Sequence, residues 1–123
     1  MAKKRVFICD DDKGITDMLE MVLELEDVDT FTETDSVHAY DRLLQFKPDI
    51  LIVDLWMPIV TGDQLIKRIR ANQELKNLYI ICISASRDGL QVADEAGADQ
   101  FMAKPFDVEE FLNMIEQAIG SAA

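Results

Sequence analysis

Two stretches of the sequence are apolar without interruption, and both have the length of β-strands. Residues 50–53 read Ile-Leu-Ile-Val, and residues 78–83 read Leu-Tyr-Ile-Ile-Cys-Ile. Strands that are apolar at every position are typical of a sheet that is covered on both faces. The first stretch ends at Asp54, and the chain-breaking residues Pro58 and Gly62 follow. We therefore expect Asp54 at the carboxyl end of a central strand, where open α/β sheets bind their ligands.

Three weaker patterns predict further strands. Residues 5–9 are mostly apolar and lead into three successive aspartates, and residues 100–103 form a short run before Lys104. Residues 27–34 mix threonines and apolar side chains with acids, which favours a strand at the edge of the sheet.

Apolar residues with helical spacing predict one helix after each strand. The positions expected to face the sheet are Ile15, Met18, Leu19 and Val22; Tyr40, Leu43 and Leu44; Leu65, Ile66 and Ile69; Leu90, Val92, Ala93 and Ala96; and Val108, Phe111, Leu112, Ile115 and Ile119. The predicted helix caps are Ser36, Thr61 with Gln64, Gly97, and Asp107 with Glu110. Strands that alternate with helices indicate an α/β fold, with a five-stranded parallel sheet and helices on both faces.

The composition of the chain limits the kinds of molecule that we expect it to bind. The chain has 123 residues, 49% of them hydrophobic, so one domain spanning residues 1–123 can bury a substantial core. It carries 12 basic and 24 acidic side chains, a formal net charge of −12. That charge repels nucleic acid and anionic membranes, so we expect neither to bind directly and look for protein or cation partners. Because no apolar run reaches about 20 residues and no signal-peptide pattern opens the chain, we expect a cytoplasmic protein.

The cysteines and the histidine do not indicate a metal site. Cys9 and Cys82 each lie inside an apolar strand-like run, where a small thiol serves as ordinary core. His38 has no companion ligand nearby in the sequence, so we expect it on the surface.

Charged and polar residues follow four of the predicted strands. If the strands are parallel, one edge of the sheet collects Asp10, Asp11, Asp54, Ser84 and Lys104. Three carboxylates in one crevice either raise a pKa by mutual repulsion or bind a hard cation such as Mg²⁺. With a cation and an ammonium group to neutralise phosphoryl oxygens, a carboxylate can then attack phosphorus. Each aspartate alone is equally typical of a loop start or a helix cap, and only the combination indicates a site.

At these positions the chain, from Arg5 to about Gly120, resembles the receiver domains of response regulators in two-component signalling. The family pattern combines an acidic pair, an aspartate followed by Met-Pro, a hydroxyl residue followed by a small one, and a Lys-Pro pair. The matching residues are Asp10-Asp11, Asp54 with Met57-Pro58, Ser84-Ala85, and Lys104-Pro105-Phe106. The resemblance implies the flavodoxin-like strand order 2-1-3-4-5.

The resemblance also implies a chemistry for Asp54. This side chain would accept a phosphoryl group from the phosphohistidine of a sensor histidine kinase or a phosphotransfer protein. Asp11, Asp54 and the main-chain carbonyl of Trp56 would bind Mg²⁺, and Asp10 would hold water on the metal. The domain would not be an enzyme for a separate substrate, although it would take part in its own phosphorylation and dephosphorylation.

Further residues would read out the phosphoryl group. Lys104 would pair with Asp54 before transfer and with the phosphoryl group afterwards, and the Lys104–Pro105 peptide would be cis. The Ser84 hydroxyl would move to bond a phosphoryl oxygen, and Ala85 leaves room for it. Phe101 would rotate into the vacated space. The surface of the fourth helix, last strand and fifth helix would then present itself differently to a downstream protein or effector domain.

Two positions depart from the commonest family pattern or vary within it. The switch aromatic is usually Tyr, whereas Phe101 has no hydroxyl with which to form a hydrogen bond. Trp56 is bulky where many relatives are polar, and we hypothesise that its ring shields the acyl phosphate from water. Ordinary packing is the alternative for both aromatics.

Three other functions compete with that of a receiver domain. A haloacid-dehalogenase-like phosphatase needs a second aspartate two residues after its nucleophile, where this chain has Trp56. A flavodoxin-like FMN carrier needs a phosphate loop of hydroxyls and glycines, whereas Asp10, Asp11 and Asp12 would repel a phosphate. A phosphate-independent receiver-like binding module stays open. The sequence also leaves open the cognate kinase, the lifetime of the phosphoryl group, a homodimer, and whether the receiver stands alone or belongs to a longer protein.

Overall fold

Strands and helices alternate along the whole described part of the chain. The computed structural model describes residues 3–121. The strands are β1 (Lys4–Cys9), β2 (Val28–Glu33), β3 (Ile50–Asp54), β4 (Tyr79–Ser84) and β5 (Gln100–Ala103). The helices are α1 (Lys13–Leu23), α2 (Ser36–Phe46), α3 (Gly62–Arg70), α4 (Gly89–Ala96) and α5 (Val108–Ser121). Within residues 3–121, no helix is both long enough and apolar enough to cross a membrane.

The five strands form one parallel sheet in the order β2-β1-β3-β4-β5. The predicted α/β class and strand order are confirmed. Every residue of the central strand β3 is buried, as its unbroken apolar composition predicts. Val53 pairs with Cys9 on one side and Cys82 on the other, so the carboxyl ends of three strands are aligned.

Successive residues of each inner strand enter two separate apolar layers. One layer joins Phe7, Leu51 and Ile80 to helices α2, α3 and α4, while the other joins Ile8, Ile52 and further strand residues to α1 and α5. The two cysteines belong to the first layer and are free and buried, as predicted. Burial raises the pKa of each thiol to about 12, which leaves both as inert core groups.

Several helix details differ from the sequence expectations. Met18, Leu90 and Val108 are exposed instead of facing the sheet. In α1 the buried residues are Thr16, Leu19 and Leu23, and the predicted Ile15 and Val22 pack against the same core while partly buried. In a short helix, the spacing of apolar residues defines the direction of the buried face only approximately. Apolar residues at the edge of that face can therefore point to solvent. Helix α4 also begins at Gly89, two residues later than expected.

The predicted helix caps are confirmed except at α2. Gln64 accepts a hydrogen bond from the Thr61 N–H at 3.0 Å, Asp107 accepts one from Glu110, and Gly97 ends α4 with φ of 110°. The N-cap of α2 is Asp35, whose carboxylate accepts from the Val37 N–H at 3.0 Å. Ser36 is the first helical residue, and its hydroxyl bonds outside the helix.

Helix α3 begins in contact with the end of β3, and a glycine makes this approach possible. The Gly62 N–H donates to the Leu55 carbonyl at 2.7 Å. A Cβ at this position would collide with the Asp54 carbonyl oxygen and lie 2.8 Å from the Leu55 Cα. The loop beyond Asp54 therefore closes directly onto the strand that carries Asp54.

We predict that Gly62→Ala lowers the free energy of unfolding by about 1–3 kcal/mol, because the backbone must shift to admit the methyl group. Gly120→Ala is the matched control, since a Cβ there meets nothing within 4 Å and alanine favours the α5 helix. Urea denaturation of both variants checks the pair. Equal stability of Gly62→Ala and the natural chain would contradict the close approach.

Candidate functional site

Three carboxylates meet where β1 and β3 end. Asp10 follows β1 and is 2% exposed, Asp54 ends β3 and is 8% exposed, and Asp11 is exposed beside them. One carboxylate oxygen from each residue lies within 4.8 Å of the other two. The predicted acidic cluster is therefore present as one group at the carboxyl edge of the sheet.

Asp12, the third aspartate of the run, caps a helix. The Asp12 carboxylate caps α1 and accepts from the Gly14 N–H at 2.9 Å. The Asp12 N–H in turn donates to Asp10 at 2.9 Å, and the Asp10 N–H donates to the Glu33 carbonyl of β2. The loop that presents Asp10 and Asp11 is thus held by the start of the following helix and by the neighbouring strand.

Lys104 lies between the two buried acids. Its Nζ atom is 3.2 Å from Asp10 Oδ2 and 3.2 Å from Asp54 Oδ1. The Lys104 N–H donates to the Ser84 carbonyl at 2.9 Å, which ties the residue after β5 to the end of β4. The Lys104–Pro105 peptide is cis, as the family resemblance implied.

Burial sets the protonation behaviour of this group. Burial and then the charge of Asp10 raise the pKa of Asp54 to about 6, although Lys104 opposes the shift. Burial also raises the pKa of Asp10, and its hydrogen bond from Asp12 and the charge of Lys104 offset only part of that rise. For Lys104, burial alone would lower the pKa, but the two carboxylates outweigh it and raise the pKa. The site therefore holds excess negative charge that only one ammonium neutralises.

The acid oxygens suit a small divalent cation. Mg²⁺ takes oxygen ligands, binds through one or two carboxylates, and keeps waters in its remaining positions. Asp11 is exposed and adjacent to the two buried acids, which leaves the cluster open on one side. The donor set therefore fits the cation that the sequence predicted.

Ser84 and Phe101 both lie close to one glycine, Gly89. Ser84 is fully buried, and its hydroxyl oxygen accepts from the Ser86 N–H at 3.0 Å. A Cβ on Gly89 would lie 3.0 Å from the Ser84 Cβ and 3.0 Å from two atoms of the Phe101 ring. The first residue of α4 is therefore in contact with both predicted switch residues. Sequence reasoning missed Gly89, because a glycine inside a predicted helix gives no sign of which residues from other elements it will meet.

The β3–α3 loop places apolar side chains at the rim of the site. Trp56 is 48% exposed, whereas Met57 is buried with its sulfur 3.6 Å from Cys9 Sγ. Ile59 is 83% exposed and has φ of 70°, in the left-handed region. Ala85 is exposed and, with Lys104 and Pro105, lines an apolar groove against α1. His38 is exposed, as expected, and its Nε2 atom lies 3.5 Å from Asp35 Oδ2.

Comparison with known proteins identifies the family. The model of the response regulator receiver domain matches residues 6–116. Sporulation initiation phosphotransferase F of Bacillus subtilis is 28% identical over 95% of this chain and 94% of its own length. The DNA-binding dual master transcriptional regulator RpaA of Synechocystis is 32% identical, and the match covers 88% of this chain but only 46% of RpaA.

The fold comparison agrees with the sequence comparison. The structure of the chemotaxis protein CheY4 of Vibrio cholerae superposes with a TM-score of 0.87 at 25% identity, over 95% of this chain and 99% of that one. The matched region contains both strand ends that carry the acids, together with Ser84 and Lys104. The chain therefore belongs to the response regulator receiver domain family.

Proposed function

We propose that residues 1–123 act as one receiver domain in which Asp54 is the phosphoacceptor. The observation that supports this most directly is the bridge of Lys104 between Asp54 and Asp10, with both acids buried and Asp11 beside them. An ammonium held 3.2 Å from the acceptor carboxylate is placed to pair with a phosphoryl group that becomes attached there. The phosphate-independent binding module has no use for this arrangement.

The proposed transfer uses the Asp54 carboxylate as a nucleophile. An Asp54 oxygen forms a bond to phosphorus while the bond between phosphorus and the donor imidazole nitrogen breaks, and the electron pair leaves on that nitrogen. Asp11, Asp54 and the Trp56 carbonyl would hold Mg²⁺, with Asp10 in support through water. Bound there, Mg²⁺ would neutralise phosphoryl oxygens during transfer.

The other site residues would respond to the new charge. Lys104 would follow the phosphoryl oxygens, and the Ser84 hydroxyl would leave the Ser86 N–H to donate to one of them. Ser84 and the Phe101 ring both lie close to Gly89, so a movement of Ser84 would change the space open to the Phe101 ring. The face of α4, β5 and α5 would then bind a downstream protein or an effector domain differently.

The proposed function also implies which proteins this domain would bind. The phosphoryl donor would be a histidine kinase or a phosphotransfer protein, and small acyl phosphates would serve as chemical substitutes. Because the formal charge is −12, direct contact of this domain with nucleic acid is not expected, and DNA binding belongs to RpaA by its name. Hydrolysis of the aspartyl phosphate within the same site would return the domain to its starting state.

Intact-mass measurement tests the proposal. After incubation with acetyl phosphate and Mg²⁺, we predict that the natural chain gains one phosphoryl group and that Asp54→Asn gains none. Asp17→Asn, an exposed acid paired with Lys13, is the matched control and gains the group normally. If neither acetyl phosphate nor a phosphohistidine donor modifies the natural chain in the presence of Mg²⁺, the phosphoacceptor function is wrong.

We predict that Trp56→Asn shortens the lifetime of the phosphoryl group several-fold. Trp56 follows Asp54 by two residues and is half-exposed, and removal of its indole ring would admit water to the acyl phosphate. Leu25→Asn removes another exposed apolar side chain, after the end of α1, and leaves the lifetime unchanged. The decay of the phosphorylated mass after removal of the donor measures both, and an unchanged decay for Trp56→Asn would reject shielding.

In the presence of EDTA, we predict that Asp54→Asn is more stable than the natural chain at pH 7.5, by up to about 3 kcal/mol. The pKa of Asp54 is raised from 3.8 to about 6 on folding, so between these pH values the folded chain binds more protons than the unfolded one. The contribution of Asp54 to the free energy of unfolding therefore has its full value below about pH 4 and is lost as the pH rises through 6. Urea denaturation at pH 4.5 and 7.5 checks this, and a stability difference that does not shrink at the lower pH would contradict it.

A further inference from the structure

A turn on the rim of the site holds an unfavourable backbone conformation. Ile59 has φ of 70°, and the Val60 N–H donates to the Pro58 carbonyl at 2.8 Å across it. A three-residue turn of this hand is rare, and the left-handed region disfavours a β-branched residue by roughly ten-fold or more in population. The Ile59 side chain is 83% exposed, so packing of this side chain does little to hold the turn.

A buried hydroxyl on another element holds the turn instead. Ser36, the first residue of α2, is 5% exposed and donates from Oγ to the Pro58 carbonyl at 2.7 Å. The same oxygen accepts from the Val60 N–H at 3.3 Å. One side chain therefore bonds both residues that flank Ile59.

Helix capping does not account for Ser36. Asp35 is the N-cap of α2 and bonds the Val37 N–H, so the start of the helix is satisfied without the serine hydroxyl. The bonds from Ser36 instead reach 22 and 24 residues along the chain. They connect α2 to the loop that carries Trp56.

The loop has one anchor on each side of Trp56. On the strand side, the Leu55 N–H donates to the Ile83 carbonyl at 2.9 Å. On the other side, Met57 is buried and the Pro58–Val60 turn is held by Ser36. If the turn relaxed to negative φ, buried Met57 would be the remaining anchor on this side, and the main chain between Leu55 and Gly62 would be held less firmly.

We propose that Ser36 is a positioning residue of the site: its hydroxyl holds the Pro58–Val60 turn and thereby keeps the Trp56 main chain where it can serve the metal. This role rests on the proposed function, because Trp56 matters only if its carbonyl helps to bind Mg²⁺. Relaxation of the turn lowers the fraction of chains with a competent loop, and the apparent Mg²⁺ affinity falls by the same factor.

The test uses the tryptophan as its own probe. Trp56 is the single tryptophan of the chain, so its fluorescence in a Mg²⁺ titration and its indole N–H signal in metal-free NMR spectra each report on this loop alone. The variants are Ser36→Ala, Ile59→Gly, the two combined, and Asp35→Ala. The last removes the cap of the same helix and leaves the turn untouched.

We expect Ser36→Ala to weaken Mg²⁺ binding by about ten-fold, the population penalty of the left-handed conformation. It should also shift or broaden the metal-free Trp56 signal. Ile59→Gly in the same chain should restore the affinity to within two-fold, because glycine adopts positive φ without cost. Asp35→Ala should lower the melting temperature but leave the Mg²⁺ affinity unchanged.

Three results would overturn the proposal: no change of affinity in Ser36→Ala, no recovery on adding Ile59→Gly, or an equal loss of affinity in Asp35→Ala. If Ser36→Ala alone does not fold, the double variant decides, since the proposal requires it to fold and bind Mg²⁺ normally. The metal-free Trp56 signal tests the hold of Ser36 on the loop even in a chain that accepts no phosphoryl group. Failure of this inference is thereby distinguished from failure of the phosphoacceptor function.

Discussion

The site depends on the burial of two carboxylates around a single ammonium. Asp10 and Asp54 are almost fully buried, and Lys104 is shared between them at equal distances. Burying like charges together is costly, and one cation cannot neutralise both fully. The arrangement persists because the parallel sheet brings the ends of β1, β3 and β5 to the same edge. The remaining negative charge favours the binding of a second cation or of a proton at this edge.

The loops around this edge approach the sheet through small residues. Gly62 lets α3 start against the Asp54 carbonyl, and Gly89 lets α4 start close to both Ser84 and Phe101. At both points a β-carbon would strike the backbone or side chains of the site. Short distances of this kind allow a change at Asp54 to be transmitted by contact, since an intervening side chain could otherwise absorb the movement.

The strands of the sheet have little room to move in response to a change at Asp54. Both of its faces are packed, and β3 is buried along its whole length. Displacement is easier in the β4–α4 connection and at Phe101, which is only half-buried in β5. Because Phe101 has no hydroxyl, its contribution to the proposed switch would be limited to the position of its ring. Coupling to the α4-β5-α5 face would therefore depend on packing around Gly89.

The sequence by itself determined the sheet, its strand ends and the charged cluster. Unbroken apolar runs identified β3 and β4, and the parallel order then required Asp10, Asp54 and Lys104 to meet, as they do. The family motifs added the cis peptide, which the structure contains. The sheet, its strand ends and the charged cluster follow from local composition and from the rule that parallel strands end together, whereas the cis peptide was implied by the family resemblance alone.

Only the tertiary structure decided which neighbours the loops acquire. Sequence reasoning assigned Ser36 to a helix cap, whereas Asp35 caps the helix and Ser36 bonds a loop 22 residues away. It gave no sign that Ile59 adopts positive φ or that Gly89 contacts Phe101. Local patterns report on residues within one turn or strand. Contacts between distant segments depend on how whole elements pack, and no spacing within a single segment encodes that.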